Sequence, residues 1–360
     1  MNGLDLWEDE VYTDHVSVYK MMNGHDESMN IYDIAERCGV SIATVSRVLN
    51  GSQNVSAKTR GKVLGVMREE GYTPNAFARG LGLNTMRMIG VLCTDVSDTF
   101  YAKAVSLVES DLRRRGFDSL LCSTGNDLAE KKKFLKLLLA KRVDAVILIG
   151  SAFRENVDNS HIENAARQVP VVVINGLVEL PGVYCVLCDE RSAVTRNVGL
   201  LHRQGCEHIL YLYDAPTYSG CEKIQGYKEG LRNAGLPFRE ELLARVPKSV
   251  DGASDAVSAL LGRGIPISAV MASEDLLAVG AQKALQKAGR SVPIIGFNNS
   301  ILAQCASPAL TSVDNMLETL CPSAVSLLAD LLEEKSAPQK IVISPRLVER
   351  DTFHTGQNQK

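Results

Sequence analysis

Residues 33–56 read DIAERCGVSIATVSRVLNGSQNVS, two short helical patterns around one glycine followed by a polar, serine-rich turn. Ile31, Ile34, Ala35 and Cys38 recur at helical spacing, and Gly39 supplies the turn, because a residue without Cβ enters the left-handed region freely. Ser41 is placed to cap a second helix, Ile42 to Asn50, whose Val45, Val48 and Leu49 face inward. Ser56 opens a third, with Val63, Leu64, Val66 and Met67 as its inner face and Gly71 as its end. A helix set across its predecessor by a short glycine turn projects its first residues into a DNA major groove while the first helix braces on the backbone. In that geometry Ser41, Thr44, Ser46 and Asn50 suit phosphates, and Ile42, Ala43 and Arg47 face base edges. Arg47 forks onto guanine O6 and N7, whereas Ile42 and Ala43 offer apolar contact to thymine methyls. The spacing alone also fits an ordinary helical hairpin whose serines only cap.

The charge distribution agrees with the DNA reading. The chain of 360 residues carries a formal net charge of only −3. Residues 1–28 hold seven acids against Lys20, a net −6, while residues 29–87 hold eight bases against four acids, a net +4. Basic character therefore coincides with the quoted stretch. The first 28 residues lack helical or strand periodicity and read as a disordered extension, or as sequence upstream of the true start. No apolar run approaches the roughly 18 to 20 residues of a membrane span and no signal peptide stands first, which points to the cytoplasm. Nine cysteines are scattered; only Cys185 and Cys188 have metal-like spacing, without a second pair, and they read as reduced structural thiols. No metal and no cofactor is expected. The six histidines are isolated, His202 and His208 flank a loop and read as solvated, and no catalytic triad or phosphate loop is present, so an enzyme is not expected.

Beyond Gly71 comes YTPNAFARGLGLNTMR (72–87). Thr73 and Pro74 start a short helix, but Gly80 and Gly82 each oppose it by roughly 1 kcal/mol against alanine. Such a segment is helical only when something holds it. From Met88 onward, near-continuous apolar strands alternate with amphipathic helices, which means parallel sheets covered on both faces. Two doubly wound lobes accommodate the eight or more βα units; a closed barrel is the rival, less consistent with the late LTSVD and KIVISP strands. In such sheets ligands lie beyond the strands' carboxyl ends. The short tail after Asp351 has no heptads.

The motifs IYDIA (31–35), GVS-x-x-TVSRVLNG (39–51) and GYTPN-x-x-AR-x-L (71–81) strongly resemble the DNA-binding domain of the LacI/GalR family of bacterial repressors. RMIGVL, KRVDAVILIG, VPVVVING, DLLAVGA, VPIIGF and PALTSVD extend the resemblance over about residues 29–353. It implies an all-α helix-turn-helix domain (29–74), a hinge helix or linker (75–87), and an α/β two-lobed, periplasmic-binding-protein-like domain (88–353) for effector binding and dimerisation. Lobe 1 is expected at about 88–187 and 315–339, lobe 2 at about 188–314 and 340–353, and a tail at 354–360. Apolar faces at 88–115 and 315–333 are candidates for the dimer contact.

By motif position, Ile42, Ala43 and Arg47 match the base-reading residues, with Ser56 and Tyr72 also on the DNA side. Asn75, Ala76 and Arg79 match hinge residues near the minor groove, and Leu81 the leucine that wedges between central base pairs, unless it packs on its own domain. The implied effector pocket is Phe100, Ser151, Asn175, Thr217, Ser219, Lys223, Glu274 and Asn298. Family members usually carry Arg at 223, Asn at 274, and Asp at 175 and 298, so four positions depart. Lysine lacks arginine's planar fork, and the asparagines keep acceptors while adding donors, which still suits a hydroxyl-rich ligand. Glu274 and Asp275 also qualify as caps of the helix that follows. The implied function is a repressor, a homodimer on a pseudo-palindromic operator in double-stranded DNA, switched by a small effector of the carbohydrate class. The stretch IIGFNNS is also similar to the catabolite-control branch, whose members answer to a phosphorylated carrier protein.

Overall fold

The computed structural model describes residues 29–49, 52, 54–72 and 85–356. The expected extension 1–28, Asn50, and the segment with Asn75, Ala76, Arg79 and Leu81 lie outside the described residues. The chain divides after Met86 into two compact units.

The described residues of the first unit form three helices: α1 (Ile31–Cys38), α2 (Ile42–Leu49) and α3 (Ala57–Glu69). Asn30 caps α1 in a reciprocal box: its Oδ1 accepts from the Tyr32 and Asp33 amides, and Asp33 Oδ2 accepts from the Asn30 amide at 2.9 Å. Gly39 ends α1 at φ 60°, the left-handed conformation expected of it. The Oγ atoms of Ser41 and Ser56 accept from the Thr44 and Thr59 amides, each at 3.2 Å, so both serines cap as the sequence indicates. Ile34, Ala35, Cys38, Val45, Val48, Val63 and Met67 make one buried core. Leu64 is a correction: it is exposed, because Val63 and Met67, one turn apart, take the inner face of α3.

The second unit holds two six-stranded sheets, with strand orders β11-β5-β4-β3-β1-β2 and β12-β10-β9-β8-β6-β7. The first is parallel throughout and contains β1 (Met88–Cys93), β2 (Asp118–Ser123), β3 (Ala145–Ile149), β4 (Val171–Ile174), β5 (Val183–Cys188) and β11 (Lys340–Ile343). The second contains β6 (Ile209–Tyr213), β7 (Leu243–Arg245), β8 (Ala269–Ala272), β9 (Ile294–Phe297), β10 (Thr311–Asp314) and β12 (Arg346–Val348), with only β12 antiparallel. Helices α4 (Thr99–Arg114), α5 (Leu128–Ala140) and α6 (Ser160–Ala166) belong to the first lobe; α7 (Glu190–Arg203), α8 (Tyr218–Asn233), α9 (Val250–Gly262), α10 (Asp275–Lys287) and α11 (Ile301–Cys305) to the second. The chain returns to the first lobe in α12 (Leu317–Leu332), whose Leu320, Ala324 and Leu328 pack with Val108 and Leu112 of α4.

Buried clusters lie on both faces of each sheet, as continuous apolar strands require. The expected crossover near residue 339 is corrected: Lys340–Ile343 pairs in register with Cys185–Cys188 and completes the first sheet, so the third crossing falls at 344–345. Cys185 and Cys188 point to opposite faces of β5, into different cores, and burial raises the pKa of both thiols. His202 and His208 are also corrected, since each is half-buried with an imidazole Nδ1 that has no protein partner.

Candidate functional site

In the first unit, the inward set of α2 leaves the other face open. Val45 and Val48 are buried, whereas Ser41, Ile42, Ala43 and Arg47 are exposed and Thr44 and Ser46 half-buried. Ile42, at the start of this capped helix, is 41% exposed. Ile42 and Ala43 at the start of α2 and Arg47 in its last turn are thus all exposed on its outer side. Ser56 is spent on capping α3, its Oγ also 2.8 Å from Thr59 Oγ1, and Tyr72 is half-buried just past that helix.

In the second unit, the carboxyl ends of the strands of both sheets converge on one cleft with a cavity of about 190 Å³. All eight expected residues line it: Phe100 and Ser151 with Asn175 from the first lobe, Thr217, Ser219, Lys223, Glu274 and Asn298 from the second. Their roles divide. Asn175 sits at φ 55°, and its amide is consumed internally, Nδ2 donating to Glu190 Oε1 at 3.2 Å and Oδ1 accepting from the Cys188 amide. Asn298, at φ 92°, accepts from Asn315 Nδ2 at 3.1 Å, which leaves its own Nδ2 for the cleft. Thr217 caps α8, its Oγ1 accepting from the Gly220 amide.

Lys223 is almost wholly buried. Its Nζ donates to the Ser273 carbonyl at 3.1 Å, lies 3.3 Å from Glu190 Oε1, and stands 4.0 Å from the centre of the Phe297 ring. Glu274 is the N-cap of α10 but makes no side-chain capping bond, and Asp275 does not cap either. Asp275 is buried and ties the site's floor: its carboxylate accepts from the Ser300 amide and Oγ and from Ser312 Oγ at 2.7, 2.8 and 2.5 Å. Burial raises its pKa to about 6, with those bonds pulling the other way.

Further residues line it that the sequence reading did not single out: Thr94, Asp95, Asp98, Tyr101, Asn126, Asp214 and Lys248. Asp98 caps α4, Oδ1 accepting from the Phe100 and Tyr101 amides, while its Oδ2 lies 2.9 Å from Lys248 Nζ of the other lobe. The same ammonium lies 2.8 Å from Glu274 Oε1. Burial works against the Lys248 charge, yet Glu274 and Asp98 together raise its pKa above the usual lysine range. Burial likewise raises the Glu274 carboxyl, against the pull of Lys248. An aspartate two residues before an aromatic pair was a legible N-cap signal; its partnership with a lysine 150 residues onward was not. Gly150 has φ 101° and a Cβ there would stand 2.6 Å from the Tyr101 ring, so this turn needs glycine twice over.

Comparison with known proteins matches residues 86–341 to the model for periplasmic binding proteins and the sugar-binding domain of the LacI family, and residues 30–75 to bacterial regulatory proteins of the lacI family. An HTH-type transcriptional regulator of Lachnoclostridium phytofermentans is 50% identical over 330 residues, 90% of this chain and 99% of that one. Among solved structures, a complex of the transcriptional regulator CelR with cellobiose aligns with TM-score 0.67 at 28% identity, over 90% of this chain and 100% of that one. The lac repressor dimer bound to operator and the anti-inducer ONPF aligns with TM-score 0.81 over 90% and 99%, at 24% identity, a likeness of fold.

Proposed function

Because the chain belongs to the LacI family of bacterial transcriptional regulators, we propose that it is a repressor that binds a pseudo-palindromic operator as a homodimer and loosens its grip when a carbohydrate fills the cleft between its lobes. The observation that carries this reading is the presence in one chain of a capped helix with Ile42, Ala43 and Arg47 facing outward and of a polar cleft lined from both lobes. Arg47 reads guanine, Ile42 and Ala43 meet thymine methyls, Ser41, Thr44, Ser46 and Asn50 fix the register on phosphates, and Ser56 and Tyr72 stand on the DNA side. Two-fold operators need two heads, which is the support for a dimer.

The segment 75–87 serves as the hinge. Its glycine-weakened helix forms when two copies pair on DNA, with Asn75, Ala76 and Arg79 at the minor groove and Leu81 entering a base step. A ligand in the cleft favours one setting of the lobes and shifts the population of paired hinges. Reversing occupancy fully takes about 5.5 kcal/mol of discrimination between the two states. Cellobiose and related glycosides are the first ligands to test, since a relative of known structure holds that sugar. Relatives that are transcriptional regulators support action by binding rather than turnover, in the cytoplasm where the DNA is.

Fluorescence anisotropy with a labelled inverted-repeat duplex, titrated with and without such sugars, tests the reading. A salt-sensitive shift weakened by one of the sugars is expected. No protein-dependent shift at low salt would end it.

A further inference from the structure

The cleft wall carries more carboxylates than it can neutralise. Asp95, Asp98, Asp214 and Glu274 line it against only two ammonium groups, Lys223 and Lys248. Both ammoniums are already engaged within the protein. Lys223 faces Glu190, the Ser273 carbonyl and the Phe297 ring. Lys248 is held between Asp98 of one lobe and Glu274 of the other. Among the described residues, neither Asp95 nor Asp214 makes an ion pair: Asp95 accepts from the Ser97 amide and Oγ, and Asp214 Oδ1 only from Ser273 Oγ at 3.4 Å. The charge left uncompensated in the cleft is therefore negative, beside neutral hydroxyl and amide groups that can donate or accept, such as Ser151, Ser219, Asn126 and Asn298.

We infer that this cleft refuses anionic effectors and takes a hydroxyl-rich ligand that is uncharged or bears a protonated amine, with Lys248 holding the seat between Asp98 and Glu274 until that ligand arrives. The inference rests on the reading of the cleft as the effector site and adds the sign of charge it selects. A phosphorylated or carboxylated sugar would find no unpaired cation and would face two unpaired carboxylates. Sugar hydroxyls and ammonium groups donate to those carboxylates. Lys248 is also the one ion pair seen to join the lobes across this cleft among the described residues, so a ligand that competes for Asp98 or Glu274 changes how the lobes are held.

The test uses the full chain and titration calorimetry with matched sets: cellobiose, the fully deacetylated glucosamine disaccharide and cellobionate; glucose, glucosamine and glucose 6-phosphate. The anionic member of each set is expected to bind at least about tenfold more weakly than its uncharged parent. Lys248→Met empties the seat, and is expected to tighten the amine-bearing members by about tenfold while weakening the anionic ones further. Lys248→Gln, polar and uncharged, is run beside it and shows the same order if the methionine variant folds poorly. An anion that binds wild type as tightly as its parent, or that gains from Lys248→Met, overturns the inference and leaves the effector reading standing. Silence of all six sugars, with operator binding intact and unchanged by them, overturns the carbohydrate reading and this inference with it.

Discussion

Replacing Lys223 by methionine removes one half of a buried ion pair. Lys223 and Glu190 are 5% and 4% exposed, with Nζ 3.3 Å from Oε1. The variant leaves the Glu190 carboxylate in the interior, its remaining hydrogen bond among the described residues coming from Asn175 Nδ2 at 3.2 Å. Stranding a buried charge costs about 3–5 kcal/mol, far more than the intact pair contributes. In a unit of this size each kcal/mol moves Tm by roughly 2–4 °C, so a loss on the order of 10 °C is expected. Lys223→Met with Glu190→Gln removes both charges, and the glutamine oxygen still accepts from Asn175. That double variant should recover to within about 2 kcal/mol of wild type. Urea unfolding of wild type, Lys223→Met, Glu190→Gln and the double variant, followed by far-ultraviolet circular dichroism, closes the cycle. A single variant that loses less than about 1 kcal/mol, or a double variant as unstable as the single, would refute the reasoning.

Arg47→Ala should weaken operator binding by about 1–3 kcal/mol, and Arg47→Lys should keep the salt-dependent background while losing discrimination at one base pair, both read by anisotropy on matched and mismatched duplexes. Asp275 gives a pH signature. Its folded pKa of about 6 exceeds the ordinary value of 3.8, so the folded state holds a proton that the unfolded chain releases between those values. Stability due to this group therefore falls as pH rises from about 4 to about 6, by up to about 3 kcal/mol, and is level above. Asp275→Asn should lack that slope in urea titrations across the window; an unchanged slope rejects the assignment. Ser56→Ala removes the cap of α3 and should cost about 1 kcal/mol in thermal unfolding of the first unit. Gly150→Ala should displace the Tyr101 ring and lower ligand affinity in calorimetry while the DNA-reading face keeps its operator preference.

Much of this was legible because it is local. Helical spacing around Gly39, serines one residue before apolar stripes, and continuous apolar strands each carry their structure within a few residues. The eight cleft residues follow from motif position, and all line the cleft, some just past strand ends and others, such as Phe100, Ser219 and Lys223, in the first turns of the helices that follow. Other features are set by distant partners. Lys340–Ile343 reads as a strand, but only its pairing with β5 decides which lobe it completes. Asp275 looks like a cap because it opens α10, yet Ser300 and Ser312 claim its carboxylate. Lys248 sits in a polar loop with no periodicity, and its importance comes from Asp98 and Glu274, one in each lobe.

The most direct measurement is anisotropy of one labelled inverted-repeat duplex against the full chain and Arg47→Ala, over a range of salt, with and without cellobiose or a related glycoside. Tight binding by wild type that falls steeply with salt, drops with Arg47→Ala, and weakens when the sugar is added is the expected result. Equal affinity for specific and scrambled duplexes, or a preference that survives Arg47→Ala unchanged, would contradict it.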